Sequence, residues 1–339
     1  MSNYHVFMFY INKPFILLTI SSLIIRTIIA ISSSNWLFLW IAIEINILRF
    51  IPIMTNSKSN RETEATIKYF IAQALGSRLI LITSITHWSS RSISHINLIL
   101  LAAIFLKLGI APFHFWFPSV ITSISWLACT ILATWQKLAP LIILSFFLHN
   151  SAPIFIIFVA SINALIGGIM GINQSHLRTI IAYSSITHIG WMTSILIIFK
   201  PHITIIYFII YSSIIIPLFT IIAYNNQQSN TQFNKINTIS PIIQLIIPII
   251  LLSLSGIPPF TGFIPKWLTI YTICQNSPLI LIIIIIGAII NIYFYINILF
   301  NSLLSINFSL LNLNINKIST KIPPIIATLA ISLLPLFII

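Results

Sequence analysis

Apolar residues run in long blocks along this chain, and polar residues are confined to short stretches between them. Blocks near the length of about 20 residues that crosses a bilayer as a helix fall at roughly 15–31, 35–54, 65–87, 93–117, 123–148, 152–172, 176–199, 201–224, 239–275, 277–300 and 322–339. They predict about eleven transmembrane helices. The long Ile and Leu runs, Ile282 to Ile286 among them, lack the strict alternation of a barrel strand. In lipid every backbone polar group must be satisfied within the chain, so helices are implied. The stretches Thr55–Glu64, Asn225–Ser240 and Asn301–Lys321 read as loops, each too short for a soluble domain. Composition agrees, because 58% hydrophobic and 6% charged residues with a mean hydropathy of +1.06 leave no way to build a polar surface.

Within this pattern one device occurs twice. Gly109-Ile-Ala-Pro-Phe-His-Phe-Trp-Phe-Pro118 returns as Gly256-Ile-Pro-Pro-Phe-Thr-Gly-Phe-Ile-Pro265, with Gly, Ile, Pro and Phe in register. Both copies put helix-breaking residues inside an apolar block, near Gly109–Pro112 and Gly256–Pro259. Matching interrupted helices in two halves mark an internally repeated transporter whose ion path lies at the breaks. The copies fall in the fourth and ninth spans, an offset of five, so they run in opposite directions through the bilayer and the repeat is inverted. The expected architecture is all-α and polytopic. It has a first five-helix half over 1–150, a second five-helix half over 151–300, and a loop with a C-terminal transmembrane helix over 301–339. Ala164, Gly167, Gly168 and Gly171 read as a small-residue face for close helix packing.

Sixteen Lys and Arg face only three acids, Glu44, Glu62 and Glu64, for a net charge of +13. The basic residues are scattered through apolar blocks and form no patch for nucleic acid. Alternating the loops between two sides puts Lys13, Lys58, Arg61, Lys235, Lys317 and Lys321 on the side of the N-terminus, and Arg91 and Lys200 opposite. The positive-inside rule then places the N-terminus in the cytoplasm or matrix and the C-terminus across the membrane. No Arg/Ser-rich transit segment precedes the first span. Cys129 and Cys274 stand far apart, with no spacing that would attach a haem or ligate a cluster. No phosphate-binding glycine loop is present either. Moving one charge against 100 mV takes about 2.3 kcal/mol, so transport must be coupled to another ion or another subunit.

A charge at mid-membrane costs roughly 3 kcal/mol on insertion scales, so Glu44, Lys107, Lys137 and Lys266 each require a reason. A lysine taken out of water can exchange its proton near neutrality, whereas arginine keeps its own. Lys107 precedes the first break, Lys266 follows the second, and Lys137 stands one turn before Pro140 on a span expected to be of unbroken length. Snorkelling of the lysines to the interface is the alternative. Glu44, the one acid in the middle of a span, reads as a switch partner for a lysine or as a static ion pair. Glu62 and Glu64 read as N-terminal caps of the third helix. His114, within the first break, and His188 can bridge lysine sites through water, or can be satisfied core histidines. Two readings survive, a proton-translocating module of a redox-driven complex and a free-standing secondary cation/proton antiporter. A scaffold would have no use for buried lysines.

Leu39-Trp-Ile-Ala-Ile-Glu-Ile-Asn46, Thr63-Glu-Ala-Thr-Ile-Lys-Tyr-Phe70, Lys107-Leu-Gly-Ile-Ala-Pro-Phe-His-Phe-Trp116, Thr134-Trp-Gln-Lys-Leu-Ala-Pro140, Ala182-Tyr-Ser-Ser-Ile-Thr-His-Ile-Gly-Trp-Met192 and Gly256-Ile-Pro-Pro-Phe-Thr-Gly-Phe-Ile-Pro-Lys-Trp267 together resemble the subunit 2 family of mitochondrial NADH dehydrogenase, respiratory complex I. The resemblance runs in order along nearly the whole chain. It implies an antiporter-like, proton-pumping subunit of the membrane arm, with Glu44 and Lys107 as the acid–lysine pair of a first half-channel. Lys137 would be the central relay and Lys266 the lysine of the exit half-channel, with His114 and His188 in proton transfer. It also implies a multi-pass place in the inner mitochondrial membrane, N-terminus in the matrix and C-terminus in the intermembrane space. The implied partners are other membrane-arm subunits, namely neighbouring antiporter-like subunits and the small four-L subunit, together with lipid. NADH, FMN, iron–sulfur clusters and ubiquinone are implied for other subunits, with no cofactor, metal or redox centre in this one. Arg26, Arg49 and Arg78 depart from the family pattern, which has small residues there; an arginine at 49 would neutralise Glu44 if the two paired.

Overall fold

A computed structural model describes residues 14–56, 59–89, 93–147, 153–198, 200–225, 241–275 and 277–309. The expected eleventh span at 322–339 lies outside these residues, as do Lys13, Lys58, Arg91, Lys235, Lys317 and Lys321. The described residues form thirteen helical segments and no strand: α1 Pro14–Ser32, α2 Trp36–Met54, α3 Asn60–Ser89, α4 Ile93–Leu108, α5 Trp116–Ile121, α6 Trp126–Ala133, α7 Trp135–Phe147, α8 Pro153–Ile172, α9 Leu177–Ile197, α10 Pro201–Asn225, α11 Pro241–Ser255, α12 Phe263–Cys274 and α13 Pro278–Ser309. Among the described residues, six stretches are long and apolar enough to cross a membrane, namely α1, α2, Asn60–Thr86 of α3, Trp126–Phe146, Pro201–Ala223 of α10 and Pro278–Leu303 of α13. The chain is a multi-pass membrane protein.

Burial follows the logic of a lipid solvent. In α1 the buried stripe is Ile16, Thr19, Leu23, Thr27 and Ala30 at helical spacing, while Phe15, Leu17, Leu18, Ile25 and Ile28 point outward. Each inward hydroxyl returns to its own helix, as Thr19 Oγ1 donates to Ile16 O at 2.8 Å and Thr27 Oγ1 to Ile24 O at 2.8 Å. No polar group is then left unpaired by these threonines.

Helix contacts divide the chain into two units, Met1–Phe155 and Ile156–Ile339. In the first, α2 packs on α1 and α3, α3 on α4 and α5, and α7 on α1, α4 and α6. In the second, α9 packs on α10, α12 and α13, while α11 and α12 each pack on α10 and α13. Small residues set the close approaches there. A Cβ on Gly287 of α13 would meet Ala164 O of α8 at 2.6 Å, and one on Gly168 would meet Gly287 O at 3.0 Å. One on Gly190 of α9 would meet Ala160 O of α8 at 2.9 Å. The backbones of α8, α9 and α13 therefore touch with no side chain between them.

The fourth and ninth expected spans are both interrupted. Helix α4 stops at Leu108 and α5 starts at Trp116; α11 stops at Ser255 and α12 starts at Phe263. Gly109 and Gly256 carry φ of 71° and 76°, a left-handed conformation that ends a helix at little cost only for glycine. At the first break Gly109 N–H donates to Leu106 O and Ile110 N–H to Phe105 O, at 3.3 and 2.9 Å, which is the Schellman pairing of a helix C-terminus. Gly256 N–H makes the equivalent bond to Ser253 O at 3.2 Å.

Three sequence expectations are corrected. Helix α13 continues to Ser309, so Asn301–Ser309 is helical and does not belong to a loop, the long apolar run before it having already nucleated the helix. The cap of α3 is Ser59, whose Oγ accepts from Glu62 N–H at 3.3 Å; Glu62 occupies the third position of that turn, and Glu64 pairs with Lys68 at 2.7 Å on the surface. The span carrying Lys137 is not of unbroken length, because α6 ends at Ala133 and α7 begins at Trp135.

Gly287→Val should force α8 and α13 apart and destabilise the protein by about 1–3 kcal/mol. A lower thermal midpoint in detergent, with helical circular dichroism preserved at low temperature, is the expected outcome.

Candidate proton-transfer site

Breaking a helix inside a membrane exposes carbonyls away from bulk water. At the first break these are claimed one by one. Phe105 O and Leu106 O take the two backbone N–H groups of the Schellman turn, and Leu106 O also accepts Trp116 Nε1 at 3.0 Å. Lys107 O accepts Gln73 Nε2 of α3 at 3.2 Å, and Lys107 Nζ in return donates to Gln73 O at 3.4 Å. Lys107 is thus tied to α3 by both its backbone and its ammonium. Gly76 makes room for the lysine stem, since a Cβ there would stand 3.0 Å from Lys107 Cγ.

Glu44 lies half-buried on α2, and the charges of Glu44 and Lys107 act on each other. They form no direct ion pair; among the described residues Lys68–Glu64 is the ion pair found. Glu44 Oε2 is buried without a hydrogen-bond partner. Arg49 lies on the exposed face of α2 and does not pair with Glu44. Five positions along a helix turn the two side chains to different faces, which removes the expected neutralisation. Arg78 is likewise exposed and Arg26 half-buried.

Lys137 stands just past the defect at Thr134, whose dihedrals are φ −113° and ψ −77°. Thr134 Oγ1 donates to Thr130 O at 2.6 Å, and Lys137 N–H falls back on Thr134 O at 3.1 Å. The interruption lies on the N-terminal side of Lys137, and α7 stays helical through Pro140, which has no N–H to offer the ladder. Lys137 Nζ sits over the Phe117 ring, 4.4 Å from its centroid. Phe117 N–H in turn donates to His114 O at 3.0 Å, and His114, within the break, has two ring nitrogens without hydrogen-bond partners. The Asn46 and Gln136 amides exchange hydrogen bonds at 3.3 and 3.4 Å and pin the helix of Glu44 to that of Lys137.

In the second unit Lys266, on the first turn of α12, reaches back across the break and donates to Ser255 O, the last carbonyl of α11, at 2.6 Å. Its stem occupies the space a Gly256 side chain would need, 2.7 Å from Lys266 Cδ. Its ammonium faces the Trp191 ring of α9 at 5.8 Å. One turn earlier on α9, His188 Nδ1 hydrogen-bonds Tyr207 Oη at 2.9 Å, and its ring lies 5.1 Å from that of Tyr211. The buried hydroxyls of Tyr211 and Tyr295 stand near Ser185 and Ser184, whose own hydroxyls donate to Ala182 O and Ile181 O.

All three lysines are buried, with 5%, 4% and 6% exposure for Lys107, Lys137 and Lys266, as are His114 at 2% and His188 at 5%. Lys266 and Lys107 spend their ammonium groups on internal carbonyls, which argues against snorkelling. The structure brings Glu44, Lys107, His114 and Lys137 into the first unit and His188 and Lys266 into the second. Sequence reasoning did not single out Gln73, Thr134, Tyr207, Tyr211 or Tyr295. A glutamine inside an apolar span was a usable signal for Gln73. The tyrosines show no pattern until α9, α10 and α13 are packed.

Comparison with known proteins bears on this arrangement. The family model for the membrane region of NADH:quinone oxidoreductase and Mrp antiporters matches residues 33–94 and 83–291. The chain belongs to this family. It is 49% identical over 296 residues, 87% of this chain and 88% of the relative, to NADH-ubiquinone oxidoreductase chain 2 of Lumbricus terrestris. It is 38% identical to the chain of the same name from Lemur catta, over 86% of this chain and 87% of that one. The fold is shared with a chain of respiratory complex I from Thermus thermophilus with bound aureothin, at a TM-score of 0.76 and 19% identity over 88% of this chain and 78% of that one. It is also shared with a chain of the Mrp complex from Dietzia sp. DQ12-45-1b, at a TM-score of 0.71 and 18% identity over 87% and 59%.

Gln73→Leu should leave Lys107 O without its donor and cost about 1–3 kcal/mol. The expected reading is a lower thermal midpoint in detergent, with Gln73→Glu falling between Leu and the parent.

Proposed function

We propose that this chain is a proton-translocating, antiporter-like subunit of mitochondrial NADH:ubiquinone oxidoreductase. It would couple quinone reduction elsewhere in the complex to proton movement across the inner membrane. The observation that carries the reading is the placement of Lys107, Lys137 and Lys266, each buried and each beside a helix defect. A lysine at a defect can be hydrated and can trade its proton, and a lysine in an intact helix facing lipid cannot.

In this reading Glu44 and Lys107 form the first half-channel. Lowering the charge on one releases the other, and their separation without direct contact leaves both free to change state. Lys137 is the central relay, and Lys266 delivers the proton on the exit side. His114 and His188 pass protons between these stations, with Tyr207 holding one ring nitrogen of His188. The two interrupted helices belong to inverted five-helix repeats within an eleven-helix chain, and the positive-inside bias puts the N-terminus in the matrix and the C-terminus in the intermembrane space. NADH, FMN, iron–sulfur clusters and the quinone site belong to other subunits. The neighbours in the membrane arm are other antiporter-like subunits, the small four-L subunit and lipid.

Lys137→Ala should leave the assembled complex able to oxidise NADH at a reduced rate while impairing proton translocation in reconstituted vesicles. Lys137→Arg should fail as well, since arginine holds charge and does not release its proton. Full pumping by the arginine variant would reduce Lys137 to a fixed charge. Orientation is checked independently: label should reach the 226–240 connection only from the matrix side, and access from the intermembrane side alone would reverse it.

A further inference from the structure

Carboxylates are too few to serve the buried lysines of this chain. Of its three acids, Glu44 acts on Lys107, while Glu62 and Glu64 stand at the start of α3. Yet each of the other two lysines has an aromatic face beside its ammonium. Lys137 Nζ lies 4.4 Å from the Phe117 centroid and Lys266 Nζ 5.8 Å from the Trp191 centroid, both within the roughly 6 Å over which a ring quadrupole attracts a cation. Both rings are almost wholly buried, at 1% exposure each. They come from elements that the breaks place there: Phe117 is the second residue of α5, directly after the first interruption, and Trp191 lies on α9 against α12. Phe117 is further held by its N–H bond to His114 O, and Trp191 Nε1 has no hydrogen-bond partner, so that side chain is committed through its ring.

We infer that Phe117 and Trp191 are positioning residues for proton transfer, their π-faces holding the protonated ammonium of Lys137 and of Lys266. An aromatic face attracts the cation without accepting its proton. The lysine therefore keeps a stable charged position, and the ring itself cannot capture the proton in transit. A carboxylate partner at the same place would provide a second proton-binding station, and the rings do not. The inference rests on the proton-relay reading of the lysines.

The test uses the intact complex in vesicles and reads protons translocated per NADH oxidised. Phe117→Leu removes the π-face and keeps apolar bulk; it should lower the ratio by roughly three- to tenfold. Phe117→Trp keeps a π-face and overfills the site; it should retain most of the ratio. A packing role predicts the opposite order, with Leu tolerated and Trp damaging, and that order would overturn the inference. So would equal pumping by Phe117→Leu and the parent in a background where Lys137→Ala abolishes pumping. If Lys137→Ala itself pumps normally, the relay reading fails first, and the two failures are thereby distinguished. Should Phe117→Leu not assemble, Trp191→Leu against Trp191→Phe asks the same question at Lys266, with the phenylalanine variant expected to pump and equal behaviour of the two counting against the inference.

Discussion

A backbone carbonyl freed inside a bilayer has to find a donor from the protein itself, and this requirement organises both interrupted helices. Gly109 and Gly256 end their helices in a left-handed turn that answers part of the demand with backbone N–H groups. The remainder falls to side chains: Trp116 and Gln73 at the first break, Lys266 at the second. The buried charges are thus not placed in spite of the breaks. Lys266 sits where the broken backbone supplies the dipole that a buried ammonium needs, while Lys107 draws on Gln73 O of the neighbouring α3.

Those dipoles matter because the chain has so little negative charge of its own. With three acids against sixteen basic residues, ion pairing cannot be the general means of keeping a cation in the membrane. Carbonyl oxygens, amide side chains and aromatic faces take that role, and each is a weaker and more local partner than a carboxylate. Weak partners suit a charge that must come and go. The mutual amide clamp between Asn46 and Gln136 has the complementary task, keeping α2 and α7 in fixed register whatever the charge of their neighbours.

Much of this was visible in the residue string. Apolar block lengths located the helices, and the repeated Gly-Ile-x-Pro-Phe motif located both interruptions, because glycine and proline act through the local backbone and need no tertiary knowledge. Glu44, Lys107, Lys137 and Lys266 stood out because charge in an apolar block is expensive wherever the helix packs. What depended on packing was hidden. Pro140 signalled a missing ladder bond within α7, but the interruption itself lies at Thr134, whose hydroxyl bonds back to Thr130 O, and threonine gave no such signal. Gln73 and Phe117 gain their meaning only across α3–α4 and α5–α7, and one phenylalanine among 24 gives no signal of its own.

The bond from Lys266 to Ser255 O joins the first turn of one half-helix to the last turn of the other. An ammonium grips a carbonyl more strongly than a neutral amine does. In the proposed relay, a Lys266 that gave up its proton would slacken the staple across the gap, and one that regained it would tighten it. The gap between α11 and α12 would then work as a small electromechanical joint, converting the occupancy of a single proton into tension along the backbone of a membrane helix.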